Sequence, residues 1–587
     1  MEKCETRVRI TTKAMRLLSL AASCLIAHGA YAATWTGANG TDLADPLNWS
    51  GDVYSTEMQF SSDAALTLNN DTNVFRVFGT SGNNRKVTID LSGHNLGTTA
   101  AEYSNRDFWR ATGTTFVITN SSDTSATFTQ KSILVLDNTG YTGTRLVVAG
   151  KKTFMNGSIQ NRGGVGCQLD LLDGATLSGS SFYLCKNFLT NNVANCATLN
   201  ATDNIGVGSA GPKPHDTSNG PWHGNLMSVS GAAVSADKLI VGCGQLSTTG
   251  APYDNIFMAY GGATVTLSTG VYIGCGAAAT NNSAVMTGAG TVLSTKILRV
   301  GTRTAAADGT IAATLPATNN LFAVEKGATV EAQNIYIGAG GNLLVVNSGA
   351  TLEAIAGGLV QLSSDMTAET TENAGGHIGS RVEIVGGTLH YLNRFEVGRL
   401  NEPYRHEVFV GDGGILNEKP FCFCGSEGRL VVSNGTVNVT GLNMRYADTG
   451  YGSNNTVRIM GESGYVQASS VNFTDAAASF EFVIPETGWS EAPFRCLNDF
   501  TIPADFRLNI DKASAKAYRN AMKARGEAKE TIPLMRALSG GGYAKTITIA
   551  DETTLSANLP EGCALKNQDG VLSVEIRATC GLMLFFR

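Results

Sequence analysis

Four groups of side chains in this sequence are of types that could do chemistry. Cys422-Phe423-Cys424 looks like half of a metal site, because thiolates are strong ligands for soft metals. No Cys-x-x-Cys or histidine pair stands beside it, so the competing reading places both thiols inward as small apolar core groups. Cys243 and Cys275 occupy equivalent positions of neighbouring repeats, where they would either form a disulfide or stand as two unpaired thiols at loop positions. His215, Asp216, Trp222 and His223 share a Pro- and Gly-rich insertion over 211–225, either a binding loop or a solvated one. A third metal ligand is missing there, so no metal site is expected. Tyr272, Arg299, Tyr336 and Glu396 recur at one repeat position, which suits stacking on sugars and hydrogen bonding to hydroxyls or carboxylates, or simply a ladder that steadies neighbouring strands.

Familiar catalytic constellations are missing. The chain has no Gly-x-Ser-x-Gly, no phosphate-cradling Gly-rich loop with Lys, and no His-Glu-x-x-His. It also lacks the Asn-Thr-Asp, Asp-Asp or Gly-His-Gly groupings of sugar-cleaving β-helix enzymes. The reading therefore leans away from an enzyme and calls for no cofactor, although carboxylates clustered on adjacent coils would restore a polysaccharide lyase or glycosidase.

The elements that must position these residues follow from a repeat. Gly-Ala-x-Val/Leu or Gly-x-Val/Leu recurs at Gly174, Gly231, Gly262, Gly290, Gly327, Gly349, Gly387, Gly414, Gly435 and Gly464. A second Gly follows at a near-constant distance: Gly242, Gly274, Gly301, Gly338, Gly398 and Gly425. One and three positions before it stand apolar pairs such as Leu239 and Val241, or Ile335 and Ile337, and period-two alternation puts each pair on one face of a short strand. A strand this short buries its apolar face only by stacking on its neighbours at about 4.8 Å. The expected fold is all-β, a right-handed parallel β-helix, with Cys422 and Cys424 inward. Between each inward pair lies one outward residue, giving the stripe Ile240, Tyr272, Arg299, Tyr336, Glu396 and Phe423.

The chain is expected to divide into an export signal at 1–32, an N-terminal cap and first strands at 33–105, β-helix repeats at 106–480, and a C-terminal cap or sorting module at 481–587. The signal rests on Lys3, Arg7, Arg9, Lys13 and Arg16, the apolar stretch 17–27, and the small-x-small site Ala30-Tyr31-Ala32. In the C-terminal module the pattern predicts one helix over about 511–527 and strands near 546–549, 571–576 and 582–586. No later stretch is long and apolar enough to span a bilayer as a helix. With a net charge of −6, the surface has no general attraction for nucleic acid or anionic lipid.

Thr34-Trp35-Thr36-Gly37, followed by Asp45-Pro46-Leu47-Asn48-Trp49-Ser50-Gly51, resembles the opening motif of bacterial autotransporter-like β-helix proteins, in which Gly-Ala-Thr-Val/Leu coils are common. The sequence departs from the full autotransporter design in lacking the run of alternating strands of a C-terminal membrane barrel. The resemblance implies an exported protein of the extracellular space or bacterial cell surface. The function expected is an adhesin-like or structural scaffold, with a polysaccharide or another cell-envelope component as partner. The alternatives are the carbohydrate-active enzyme above and an inert surface spacer.

Overall fold

The computed structural model describes residues 33–578 apart from short internal stretches, the longest being 100–111, 210–221, 303–316 and 363–378. The expected export signal, His215, Asp216 and the strand near 582–586 lie outside the described residues. Two units are distinguished, residues 1–167 with 175–178 and residues 168–174 with 179–587.

In the first unit, Ala64–Thr67, Lys86–Asp90, Thr115–Thr119 and Arg145–Ala149 pair in parallel succession. A second row, Thr72–Val74, Leu96–Thr98, Ala126–Thr129 and Thr153–Asn156, does the same. The Trp-containing motif has a physical explanation here. Asp45 caps the single 3₁₀ turn Pro46–Asn48 by accepting from Leu47 N at 2.9 Å, and Pro46 sits where no helical N–H is needed. That turn buries Asn48, whose Nδ2 donates to Asp42 O, and it aims Trp49 inward, with Nε1 donating to Leu43 O at 2.9 Å. Trp49 then meets Trp35 edge-on at 5.0 Å and Phe60 at 5.7 Å, and Phe60 meets Phe116 at 6.5 Å. Trp35, Trp49, Phe60 and Phe116 are all buried, so these edge-on ring contacts lie in the apolar interior of this unit.

The second unit is a parallel β-solenoid whose coils have three segments. Segment one recurs as Leu226–Ser230, Ile256–Tyr260, Ser283–Thr287, Leu321–Glu325 and Leu343–Asn347, paired residue for residue, and continues to Arg507–Ile510. Segments two and three form one long strand in Ala233–Val241, Thr264–Ile273, Val292–Val300 and Thr329–Ile337, with register shifts at the bend in the first two. In later coils they separate, as in Thr388–Tyr391 and Arg394–Val397. Inward residues such as Val234, Leu239, Val241, Leu298 and Ile335 are buried. Each such side chain stabilises the fold by about 1.5–3 kcal/mol relative to exposure.

The second Gly of the repeat answers to a side chain that the apolar pattern does not reveal. Gly242, Gly274 and Gly301 have φ of 59°, 57° and 64°. A Cβ there would lie 1.8, 2.0 and 2.1 Å from the carboxamides of Asn282, Asn320 and Asn342. These asparagines, with Asn225 and Asn255, are fully buried just before segment one of successive coils. Each Nδ2 donates to the next Oδ1: Asn225 to Asn255 at 2.7 Å, Asn255 to Asn282 at 2.9 Å, Asn282 to Asn320 at 3.1 Å and Asn320 to Asn342 at 3.0 Å. The same oxygens accept the backbone N–H of the preceding asparagine. Buried amides are thereby satisfied without water. Ser380 and His406 continue the column, Ser380 Oγ accepting from Asn342 N and His406 Nδ1 from Ser380 N.

Parallel pairing runs on past residue 480, through Phe494–Cys496 and Arg507–Ile510. Lys529–Ala537 then pairs antiparallel with Val571–Arg577, which also pairs antiparallel with Cys563–Gln568. The expected helix is Lys512–Ala524, capped by Asp511, which accepts from Ser514 N at 2.7 Å, and it buries Ala515, Tyr518 and Met522. A second short helix, Glu552–Ser556, was not anticipated, and the expected strand near 546–549 is Ile547–Ile549. No described helix is long and apolar enough to cross a membrane.

Candidate ligand-binding surface

The stripe on segment three aligns in register as Ile240, Tyr272, Arg299, Tyr336, Gln361, Glu396, Cys422 and Asn443. Its exposure differs from the expectation. Tyr272 is 6% exposed because it packs against Cys243, Cys275 and Ile240, and burial raises its hydroxyl above the ordinary range. Glu396 is 7% exposed, ion-paired with Arg394 at 2.5 Å. Arg299 lies over the Tyr336 ring at 5.3 Å, so these two half-buried groups face one another first.

The Cys-Phe-Cys placement is corrected by one residue. Cys424 N and Gly425 N both donate to Val397 O, so two residues oppose one and the coil bulges. Phe421 and Phe423 therefore take the inward places opposite Phe395 and Val397, and Cys422 takes the outward place opposite Glu396. Cys422 Sγ accepts from Asn443 Nδ2 at 3.2 Å. Cys243 and Cys275 are free buried thiols, with Cys275 N donating to Cys243 Sγ at 3.2 Å. Burial pushes the Cys243 thiol well above its usual range. No group of three or more His, Cys, Asp or Glu residues among the described residues is placed to hold a metal ion.

A second outward row lies on segment two: Ser294, Glu331, Glu353, His390, Asn417, Asn438, Gln467 and Arg495 are register partners in turn. It opens into a groove of about 260 Å³ lined by Asn417, Glu418, Asn438, Thr440, Gln467 and Ser469 together with the apolar Val439. Asn438 Nδ2 donates to Asn417 Oδ1 at 3.2 Å, and His390 Nδ1 lies 3.6 Å from Glu418. At the far end Arg495 covers the Tyr465 ring at 5.0 Å and pairs with Glu491 at 2.8 Å. Carboxamides and hydroxyls both donate and accept, a combination suited to polyhydroxylated ligands. In the sequence Glu331, Glu353, Asn417, Asn438 and Gln467 directly follow the Val or Leu of the Gly-Ala-x-Val/Leu or Gly-x-Val/Leu motif, outside the stripe expected on segment three.

Trp222 and His223 fall at the corner before segment one. Trp222 O accepts from Asn255 Nδ2 at 3.0 Å, which ties this corner to the asparagine column. His223 stacks on Tyr253 at 4.5 Å with planes 4° apart, and Phe188 meets it edge-on at 4.8 Å. Phe188 and Tyr253 were not singled out from sequence, because they reach His223 only through coil stacking.

Compared with known proteins, the chain matches no family model, no curated protein and no solved structure. The fold stands on its own geometry: this chain is a parallel β-solenoid, an architecture suited to a structural or surface scaffold.

Proposed function

We propose that the chain is an exported, cell-surface β-solenoid of adhesin-like character that holds a polysaccharide along the segment-two row without cleaving it. The observation that carries this reading is the groove at Asn417, Asn438 and Gln467, where successive coils present carboxamides in register. A coil rise of about 4.8 Å sets such groups at a nearly constant interval, as the hydroxyls of an extended polysaccharide are. The leader at 1–32 and the likeness of 34–51 to autotransporter-like proteins support export and surface display. The test is retention of the purified chain on a panel of immobilised polysaccharides, with Asn417→Ala/Asn438→Ala alongside. Retention by at least one polysaccharide, weakened in the double variant, is expected. Equal retention of both proteins, or none of either, contradicts the groove.

One observation favours an enzyme as the second reading. Glu331 and Glu353 are register partners on adjacent coils, next to His390, and paired carboxylates are what a glycosidase requires. Release of new reducing ends that disappears in both Glu331→Gln and Glu353→Gln would establish it.

A further inference from the structure

Phe188 is unusual on two counts. It is 50% exposed, and its φ of 56° places a bulky side chain in the left-handed region that favours glycine. Neither burial nor an easy backbone accounts for phenylalanine at this position, yet its surroundings hold it firmly. Phe188 N donates to His223 O at 2.9 Å. Gly224, itself at φ 67°, leaves room for the ring, since a Cβ there would lie 2.6 Å from Phe188 Cδ1.

The ring begins a column on successive coils. Phe188 meets His223 edge-on, His223 stacks on Tyr253, and Tyr253 bridges to Thr280 and Thr280 to Thr318. The last two hydroxyls are 3.3 Å apart. Ring faces and edges are thus followed by hydroxyls, with no Lys, Arg, Asp or Glu in the column. Sugars offer matching surfaces, apolar C–H faces beside hydroxyl groups.

We propose that Phe188, His223, Tyr253, Thr280 and Thr318 form a second site that takes a neutral oligosaccharide, the Phe188 ring stacking on a sugar face. This rests on the glycan-binding reading above but uses different residues. Full-length protein is titrated with cellohexaose, chitohexaose and xylohexaose, followed by calorimetry and by the fluorescence of the neighbouring Trp222. Phe188→Gly relieves the left-handed strain and removes the ring, whereas Phe188→Tyr keeps the ring. The expected result is binding of at least one hexasaccharide, about tenfold weaker in Phe188→Gly, and retained in Phe188→Tyr. Unchanged affinity in Phe188→Gly, or no binding of any of the three, overturns the site. The two sites are told apart with the same ligand. Loss confined to Asn417→Ala/Asn438→Ala overturns the Phe188 site and leaves the groove, and loss confined to Phe188→Gly does the reverse.

Discussion

Asn320 shows how one side chain joins two coils. Its Oδ1 accepts from both the backbone N and the Nδ2 of Asn282, at 3.1 Å each, inside a fully buried column. Asn320→Ala strands the Asn282 backbone N–H, whereas Asn282 Nδ2 keeps Pro252 O and Thr280 O at 3.1 Å each, and the expected loss is about 1–3 kcal/mol for the one group left unpaired, measured by chemical denaturation. Gly301→Ala should also destabilise, because it combines a φ of 64° with a Cβ 2.1 Å from the Asn342 side chain. The glycines were legible from their spacing, whereas the asparagines were not. Asn is common in turns of any kind, and only the stacked structure shows that these face one another. Glu575 adds a pH dependence. Hydrogen bonds from Lys566 at 2.5 Å, then Arg577 at 3.0 Å, lower its carboxyl from 4.5 to about 2. Since the folded value is depressed, the stabilisation is fully present above about 4.5 and is lost as pH falls from there through about 2. The stability gap between wild type and Glu575→Gln should therefore be open at neutral pH and close across that acid window.

The segments were legible where apolar residues alternate, and misread where one extra residue intervenes. The Gly414 to Gly425 spacing equals that of other coils, so nothing in it announces the bulge at Cys424 that moves Phe423 inward and Cys422 outward. Burial of Cys422 and Cys424 predicts that neither thiol reacts with an alkylating reagent until the protein unfolds, which mass spectrometry of alkylated peptides would check. Rapid labelling of either in native protein would contradict this packing. The C-terminal helix was legible in its position, and the structure adds its Asp511 cap and the buried stripe of Ala515, Tyr518 and Met522. Asp511→Ala should cost about 1 kcal/mol by loss of the bond to Ser514 N. The short helix Glu552–Ser556 escaped notice because a single turn carries no measurable period.

At the scale of the molecule, a solenoid presents long rows of outward side chains at constant spacing, and here the rows differ in kind. The segment-three row is largely occupied with itself, Tyr272 under its neighbouring cysteines and Glu396 held by Arg394. The segment-two row opens into the groove at Asn417 and Asn438. The repeat revealed that such rows exist, but which row is open depends on how outward side chains cover one another. The central claim, that this scaffold binds polysaccharide without cleaving it, is tested most directly by incubating the purified protein with a polysaccharide panel and scoring retention and new chain ends in the same tubes. Retention with no new ends is the predicted result; new reducing or unsaturated ends would contradict it.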